Sequence, residues 1–390
     1  MAAPSQLSSA GLRGRIELAE SSANGFTTTN ASSASVAELE ELAYRYGRSY
    51  ESYLVTESDR ECFWLSDRRG AVAFVRHGRY LHVGGGLLAA PDDWSLLLKS
   101  FVAWARSQRL RMLFYNIDPE QLPHFRAAGF QATKWGEEPI LDLDDITWKG
   151  GQYEWVRRQN NYALRHGLEF RECKPDLLSA DEWDRIAAEV EAISRGTKAE
   201  RPQAGDIGFL NGRFDAAHLG RRRLFLAHNT NRSRIEGFLL CNPCWGGTEW
   251  ALELYRDHTD AVRGTIPFLM YQALRQFQEE GAKRASLCLV AASRCDRKLP
   301  GDSAIIRQAL SMSRYFGFIF DIAGMYHFKS RFRPRFEDRF ICACPAMTLG
   351  AALSFVRVCG ALRLDTVKLG RSVWKQFTHA RVRSTLAHPE

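Results

Sequence analysis

One order of predicted strands and helices occurs twice in this 390-residue chain, and this repetition constrains the fold more than any other feature. The first copy predicts three strands, a helix, a strand, a helix and a strand, at 62–65, 71–75, 80–83, 92–107, 112–115, 120–128 and 140–143. The second predicts the same order with one helix more, at 223–228, 235–241, 249–255, 266–280, 285–289, 303–315, 325–332 and 340–342. A repeated unit predicts two similar halves, with a site in a cleft between or beside them.

This order of elements is typical of an N-acetyltransferase-like (GNAT) half. We therefore predict an α/β (α+β) protein with tandem acetyltransferase-like halves in one catalytic unit. The predicted segments are a flexible lead, the first half, a basic and acidic helical linker, the second half and an amphipathic basic tail, at 1–35, 36–150, 151–222, 223–345 and 346–390. The lead is rich in Ser, Ala, Thr and Asn and has too little apolar surface to fold alone.

The overall charge allows several polyanionic partners. The formal net charge is +8 and the sequence pI is about 9.0, which suits nucleic acid, anionic lipid or another polyanion, or serves solubility alone. Nine scattered cysteines, an odd number, favour a reducing compartment over a disulfide framework. Cys241 and Cys244 have zinc-like spacing, but no second CxxC and no HxxxH accompany them, so we predict buried thiols and no metal site.

Two regions could meet a membrane or a nucleic acid. The linker helix at 152–166 is basic, with Arg157, Arg158 and Arg165. The stretch 346–364 is mostly apolar and is followed by cations and two aromatic residues, a pattern typical of a helix that lies on a membrane surface. The alternative is an amphipathic helix packed back on the domain. No charge-free apolar stretch reaches membrane-spanning length, and the amino terminus has no hydrophobic signal core.

Acidic residues within apolar surroundings are candidates for chemistry. Strand alternation places Glu253 and Tyr255 on one face and Leu252 and Leu254 on the other, and an acid inside an apolar strand needs a partner. Glu137 and Glu138 precede the predicted strand at 140–143 and could receive an amino group or accept a proton. The alternative for this acidic pair is an exposed turn.

Two loops and one patch could hold anions. Glycines at 84–86 and the loop at 260–265, with Arg263, each lie between a strand and a helix, where a phosphate or carboxylate can bind. Neither loop has the full glycine pattern for the pyrophosphate of coenzyme A. In the patch at 326–334, helical spacing places His327 near Arg331 and Lys329 near Arg333, which suits phosphates, stacked bases or a lipid head group. The alternative is cations that extend over a core of aromatic residues.

Four stretches, in this order, resemble the cytosolic aminoacyl-transferase domain of lysylphosphatidylglycerol synthase, the multiple peptide resistance factor. The likeness runs from about Arg60 to Phe340. The stretches resemble the family's "FYQV-PENLP", "LGL…LGEE", "LRRAERDGL-F" and "FKEKFxPxWEPRY", and they lie at 114–123, 129–138, 157–170 and 328–340. The family's "GDPVG" reads Gly-Gly-Gly-Leu-Leu at 84–88, without its acid, and its "NLGMAPL" is replaced at 286–292. These 390 residues contain no counterpart of the family's integral-membrane flippase half, and we therefore expect a stand-alone form.

The resemblance implies transfer of an amino acid from aminoacyl-tRNA to a hydroxyl of a membrane lipid such as phosphatidylglycerol, with no cofactor. It implies that Glu253, Arg256 and Lys329 are catalytic, since Glu253 and Arg256 match the family's "DLMR" and Lys329 its tail-motif lysine. Further substrate contacts are expected from Tyr255, Glu137, Glu138, Arg263, His327 and Arg331. Phosphate contacts to the tRNA are expected from Arg157, Arg158 and Arg165.

The expected location is cytoplasmic and peripheral to the membrane, with an anionic lipid surface bound by the tail. The acceptor is open between phosphatidylglycerol, a sterol, another lipid and a soluble molecule, and the amino acid and oligomeric state are open too. Two rival hypotheses are an acyl-CoA N-acyltransferase and a non-catalytic RNA- or lipid-binding relative.

Overall fold

A computed structural model describes residues 26–30, 33–199, 209–313 and 321–360. In this part of the chain, thirteen strands join in one mixed sheet. The first half consists of β1 (Phe26–Asn30), α1 (Ser33–Tyr46), β2 (Glu61–Leu65), β3 (Ala71–His77), β4 (Tyr80–Val83), α2 (Trp94–Ser107), β5 (Arg111–Ile117), α3 (Leu122–Ala127) and β6 (Gln131–Asp142). A short 3-10 helix, Ser52–Thr56, lies between α1 and β2.

The linker contributes α4 (Glu154–Arg165), β7 (Leu168–Cys173) and α5 (Ala180–Ala199). The second half consists of β8 (Arg223–Asn229), β9 (Arg234–Cys244), β10 (Glu249–Asp257), α6 (Thr265–Glu279), β11 (Arg284–Ser286), β12 (Val290–Ala291), α7 (Ala304–Ser313), α8 (Ile322–Ser330) and β13 (Arg335–Cys344). Helix α9 (Leu349–Val358) follows.

The predicted repeat is visible in the strand pairing. In the first half, β2, β3 and β4 are antiparallel and β5 pairs parallel with β4. In the second half, β8, β9 and β10 are antiparallel and β11 pairs parallel with β10. The fold is therefore mixed α/β, with the same strand order in both halves.

The two halves exchange their last strands at the centre of the sheet. Strand β13, from the second half, lies between β5 and β6 of the first half. Strand β6, from the first half, also pairs with β11 of the second. The closing strands therefore join the halves into one unit and bring their side chains to a common centre.

Apolar layers cover both faces of this sheet, because neighbouring residues of a strand point to opposite faces. On β5, Met112 and Phe114 belong to one core, and Leu113 and Tyr115 belong to another on the opposite face. Helix α2 covers the first of these cores with a buried stripe at helical spacing: Trp94, Leu97, Leu98, Phe101, Val102 and Ala105. Helix α6 covers the corresponding face of the second half.

The amino-terminal end of the described chain differs from the prediction. The segment expected to be a flexible lead contains β1, which pairs with β2 because the outer edge of β2 offers free backbone groups. At the other end, α9 packs against β3 and β4 with Ala351 and Ser354 buried, whereas Leu349 and Leu353 are exposed. Residues 361–390, most of the predicted basic tail, lie outside the described residues.

Candidate active site

A buried ion pair lies where the closing strands meet. Glu138 on β6 and Arg339 on β13 are both buried, and Arg339 Nε donates to Glu138 Oε2 at 2.6 Å. The hydroxyl of Ser286, at the end of β11, donates to the other Glu138 oxygen. Arg339 Nη2 also donates to Glu337 at 3.0 Å. Pairing and hydrogen bonding compensate for removing these charges from water.

Lys329 lies beside this pair, in the last turn of α8. Its Nζ atom is buried and donates to the carbonyl oxygens of Cys288, at 2.9 Å, and Leu289, at 3.2 Å. Burial lowers the pKa of Lys329 to about 8, although Cys288 and Glu138 act in the opposite direction. An ammonium group held by neutral carbonyls, with a pKa near physiological pH, can stabilise a developing negative charge or exchange a proton.

The predicted proximity of Lys329 to Arg333 is wrong. Helix α8 ends at Ser330, and Arg333 has a positive φ of 61°. Arg333 is exposed and its Nε donates to the Gln152 carbonyl at 3.3 Å, whereas Lys329 points to the interior. Helical spacing does not apply beyond the last turn, so the two cations separate.

Cys288 connects Lys329 to strand β10. The Cys288 thiol donates to the Leu252 carbonyl at 3.3 Å, and its backbone N–H donates to the Ser286 hydroxyl at 2.9 Å. Cys288 has a positive φ of 63°, which is uncommon for a residue with a side chain. Burial raises its pKa well above the ordinary value, so the thiol stays protonated.

Glu253 occupies a bulge in β10. The pairing of β10 with β9 shifts register between Leu252 and Leu254, and this irregularity leaves Glu253 without a partner across the strand. The predicted alternation is therefore wrong in part: Leu252 belongs to the core under α6, and Leu254 to the core on the opposite face. Tyr255 packs on the same side as Leu252.

The Glu253 carboxyl is only partly satisfied. Its Oε1 accepts the backbone N–H of Gly212 at 2.5 Å, whereas its Oε2 is buried and has no hydrogen-bond partner among the described residues. Burial raises the pKa of Glu253, against the lowering effects of the Gly212 N–H and Arg222. A carboxylate with one unpaired oxygen and a raised pKa can accept a proton.

The neighbours of Glu253 on β10 are partly buried. Tyr255 lies 6.4 Å from the ring of Phe328, centroid to centroid, and so contacts α8. Arg256 Nη1 donates to the Tyr255 carbonyl at 2.7 Å. Strand β10 therefore brings Glu253, Tyr255 and Arg256 towards the helix that carries Lys329.

A second buried carboxyl, which the sequence analysis missed, lies near the Glu138–Arg339 pair. Asn116 Nδ2 donates to Glu51 Oε1 and, at 3.2 Å, to the Tyr50 hydroxyl. The Trp135 indole N–H donates to Asn116 Oδ1 at 2.9 Å. Glu51 Oε2 is buried with no hydrogen-bond partner among the described residues, and burial raises the pKa of Glu51 well above its ordinary value.

Glu51 was missed because it lies in no periodic segment and in none of the four family-like stretches. Asn116 does lie in the first of them, and its backbone has a positive φ of 57°, which asparagine tolerates better than most residues. The motif at 114–123, which contains Asn116, is therefore the sequence feature that could have pointed to Asn116 and its partner Glu51.

Glu137 and Glu138 lie within β6 and not in an exposed turn. Both are buried, since β6 extends from Gln131 and is flanked by strands on both edges. Glu137 accepts hydrogen bonds from Lys134 Nζ at 3.0 Å and from the Ser293 hydroxyl at 2.9 Å. Because protein groups already pair both carboxylates, we expect them to position the site.

The remaining cations predicted on α8 lie at the surface. His327 is exposed, and the Arg331 guanidinium lies over the Trp155 ring, 4.9 Å from its centroid. Neither residue contacts the buried cluster in the described part of the chain. Their expected contacts to substrate remain a prediction.

Three predicted anion contacts line one open cleft. Arg158 and Arg165 of α4 and Arg263, before α6, border a cleft of about 680 Å³, together with Gln159, Asn161, Tyr162 and Leu164. Arg157 differs from them, because its Nη1 donates to the carbonyls of Trp148 and Gly150, at 2.9 Å each. Arg157 therefore holds the preceding loop.

The cysteines are buried and unpaired. All nine are free thiols, and Cys241 and Cys244 lie on β9. In the ranges that the structure describes, no three His, Cys, Asp or Glu side chains are grouped to hold a metal ion. No helix in those ranges combines the length and apolarity needed to cross a bilayer.

Residues 40–343 match the protein family described as "Phosphatidylglycerol lysyltransferase, C-terminal". Among curated proteins, the phosphatidylglycerol lysyltransferase of Bacillus subtilis is 23% identical over 320 residues, which is 81% of this chain and 36% of the relative. That of Staphylococcus aureus is 21% identical over 326 residues, or 83% of this chain and 37% of the relative. The aligned region thus spans about a third of the length of these relatives.

Two solved structures share the fold. L-PGS from Bacillus licheniformis superposes with a TM-score of 0.68 at 21% identity and covers 85% of this chain and 98% of its own. A C-terminal DUF2156 domain from Agrobacterium fabrum gives 0.67 at 22% identity, with 83% and 95% covered. These likenesses establish that the arrangement of the two halves is one already seen in solved structures.

Proposed function

Because this chain belongs to the phosphatidylglycerol lysyltransferase C-terminal family, we propose that it transfers an amino acid from aminoacyl-tRNA to a hydroxyl of phosphatidylglycerol. The observation that carries the proposal is the buried ammonium of Lys329 near the β10 bulge that presents Glu253. A cation and an unpaired carboxylate in a water-poor site are the groups that acyl transfer to a hydroxyl requires.

The proposed reaction exchanges one ester for another. The lipid hydroxyl oxygen attacks the carbonyl carbon of the aminoacyl ester, while Glu253 Oε2 takes the hydroxyl proton. Lys329 stabilises the negative charge on the carbonyl oxygen of the tetrahedral intermediate. The bond to the ribose oxygen then breaks, and that oxygen receives the proton from Glu253. Arg256 holds the lipid phosphate.

The amino group of the transferred residue needs an acceptor. Glu51 is suited to it, because it is a buried carboxyl whose Oε2 has no hydrogen-bond partner among the described residues. Burial raises the pKa of this carboxyl well above its ordinary value, and a nearby ammonium group would favour its charged form. We therefore assign the amino group of the substrate to Glu51.

The reaction needs no further cofactor, because the ester bond to tRNA is already activated. Glu138 and Glu137 keep the site rigid through Arg339 and Lys134.

Access to a lipid requires contact with the bilayer. On α9, Leu349 and Leu353 are exposed one turn apart, and Arg357 lies one turn further. Two apolar side chains followed by a cation can enter the interface of an anionic membrane. We propose peripheral binding at the cytoplasmic face, through α9 and the basic residues that follow it. Replacing both leucines by glutamate should reduce sedimentation with phosphatidylglycerol vesicles without unfolding the protein.

The deciding experiment supplies the protein with tRNAs charged with labelled amino acids and with phosphatidylglycerol vesicles. The expected result is label in the organic phase and an aminoacyl-phosphatidylglycerol by mass spectrometry. Label found on a sterol, on another lipid or in a soluble product would show that this molecule, and not phosphatidylglycerol, is the acceptor. Transfer from acyl-CoA alone, or binding of both substrates without turnover, would overturn the proposal.

A further inference from the structure

We propose that the chain forms a symmetric homodimer in which β7 of one copy pairs, antiparallel, with β7 of a second copy. The second copy extends the sheet through backbone hydrogen bonds, which is how strand addition joins other proteins. An antiparallel pair of identical strands has a two-fold axis, so both copies use the same surface.

Strand β7 is the last strand of the sheet in the second half. One of its edges pairs with β8, and no strand in the described ranges pairs with the other. All six residues, Leu168–Cys173, pair with β8 in one continuous register without a bulge. The strand contains no proline, glycine or lysine. Bulges, proline and lysine are common ways to keep an edge strand unpaired, and β7 has none of them.

Two charges of opposite sign alternate along this strand. The Glu169 side chain is 49% exposed and that of Arg171 is 56% exposed. Both point to the same face of the sheet, and Arg171 Nε donates to Glu169 Oε2 at 3.2 Å. Glu169 Oε1 and Arg171 Nη1 have no partner among the described residues. An edge with charges of one sign would repel a second copy, whereas this alternation can complement itself.

The charges select one register for the pair. With the two-fold axis at Phe170, Glu169 lies opposite Arg171 of the partner subunit, and symmetry repeats this pair. With the axis at Glu169 or at Arg171, two like charges would lie opposite each other. Opposite charges across two strands stabilise their pairing and like charges destabilise it, so the axis at Phe170 is favoured.

The same register places an aromatic residue at the axis. Phe170 is half-buried, and its ring is stacked on Phe225 with centroids 5.2 Å apart. It would lie opposite Phe170 of the partner subunit, and aromatic pairs across strands stabilise a sheet. Leu164 and Leu177, before and after β7, are 49% and 79% exposed. Because the axis brings the start of one β7 beside the end of the other, these leucines lie at the same end of the contact.

The contact is closed. Once two β7 edges have paired, neither can bind a third copy, so we expect a dimer and no larger assembly. The opposite edge of the sheet is different, because β1 (Phe26–Asn30) contains no charged residue that could select a register.

The test measures the mass of the protein by sedimentation velocity over about a hundredfold range of concentration. The proteins are the wild type, Arg171→Glu, Glu169→Arg and the exchange variant Glu169→Arg/Arg171→Glu. The control is Arg45→Glu, which reverses an exposed charge that is also paired with a glutamate, Glu41 of α1. All the replaced side chains are exposed, and circular dichroism checks that each variant folds.

We expect the wild type to dimerise as its concentration rises. Each single reversal should raise the dissociation constant about tenfold or more, because two attractive pairs across the axis become repulsive. The exchange variant should dimerise as the wild type does, since it restores opposite charges across the axis. Arg45→Glu should also dimerise as the wild type does.

A disulfide tests the register directly. In Phe170→Cys, two thiols lie across the axis, where opposite Cα atoms are about 4.5–5.5 Å apart and a disulfide can form. Oxidation should therefore produce a covalent dimer. In Arg171→Cys, the two new thiols are diagonal neighbours, with Cα atoms about 7–8 Å apart, and should form little of it. The nine native thiols are buried and are present in both variants.

A wild type that stays monomeric over the whole concentration range would overturn the inference. The same conclusion would follow from single reversals that dimerise as the wild type does, or from an exchange variant as weak as the single reversals. A cross-link at position 171 without one at position 170, or growth beyond a dimer, would also contradict it. These measurements need no turnover, so they do not depend on the proposed function.

Discussion

The two halves differ at equivalent places, between the third antiparallel strand and the long helix. In the first half this junction is closed: a crevice of about 10 Å³ remains, lined in part by Gly85, Gly86 and Arg48. Arg48 is neutralised by Asp118, at 2.7 Å, and Glu120. In the second half the same junction opens into the 680 Å³ cleft with three exposed arginines.

The difference extends to the strands themselves. The parallel pairing of β4 with β5 begins at Tyr80 and Arg111, and that of β10 with β11 begins at Glu249 and Arg284. Tyr80 and Glu249 are therefore equivalent positions. Four residues after Tyr80 the first half has Gly84, and four residues after Glu249 the second half has Glu253. At this junction the second half therefore exposes three arginines and carries Glu253, whereas the first half has an ion-paired arginine and a glycine.

The largest expected effect is on transfer activity, where substitution of Glu253 should matter and substitution of the equivalent Gly84 should not. Glu253→Gln should lower transfer by about thirty- to a thousand-fold, since loss of one group that acts in the transition state costs about 2–4 kcal/mol. Gly84→Ala should retain activity, because its Cβ atom would meet other atoms only at ordinary distances, 3.7 Å or more. Initial rates with charged tRNA and vesicles measure both.

The pH dependence sharpens this prediction. Because burial raises the pKa of Glu253, activity should fall on the acid side at a pH above that of an ordinary carboxyl, and Glu253→Gln should lose this limb. Equal rates in Glu253→Gln and wild type would remove Glu253 from the chemistry.

The buried Lys329 should make the free energy of unfolding depend on pH. Burial lowers its pKa from the ordinary 10.5 to about 8, so the folded protein binds fewer protons than the unfolded chain between these values. Stability of the wild type therefore gains with rising pH in this window, by up to about 3 kcal/mol, relative to Lys329→Met. Urea unfolding of both proteins at pH 7, 9 and 10.5 gives this difference. If the difference in unfolding free energy between the two proteins did not change with pH, the pKa of Lys329 would not be lowered by burial.

Gly85 tests whether the first junction is closed. In Gly85→Ala the new Cβ atom would lie 2.3 Å from Val55 Cγ1, and such overpacking costs about 1–3 kcal/mol. Gly78→Ala is not a suitable control, because φ at Gly78 is 61°. Gly151→Ala is suitable, since nothing lies within 4 Å of its Cβ position. Equal unfolding free energies in Gly85→Ala and Gly151→Ala would contradict the close packing.

The smallest expected effect is a difference in unfolding free energy between substitutions of one arginine from each junction. Arg48→Gln should cost about 1 kcal/mol of unfolding free energy, because it leaves the largely buried Asp118 without its cation. Arg263→Gln, at an exposed position, should stay within about 0.5 kcal/mol of the wild type. If Arg263→Gln were the more destabilising of the two, the cleft arginines would be structural.

Several elements were predictable because they repeat and have clear periodicity. The helices at 92–107 and 266–280 were predicted to within two residues, since their buried stripes recur every three or four residues. Strand β6 was predicted from 140 and begins at Gln131, because its polar residues pair inside the protein and hide the apolar pattern. Strand β7 was missed, since charged residues alternate along an edge strand.

The sequence by itself determined the repeated halves, the family and the residue types available for chemistry, since these follow from local periodicity and short motifs. Only the tertiary structure decided which of them meet. The exchange of β6 and β13 buries Glu138 against Arg339, 201 residues apart, and the bulge in β10 turns Glu253 out of its expected alternation. Long-range strand pairing sets both outcomes, and a pattern read along one segment contains no information about its distant partner.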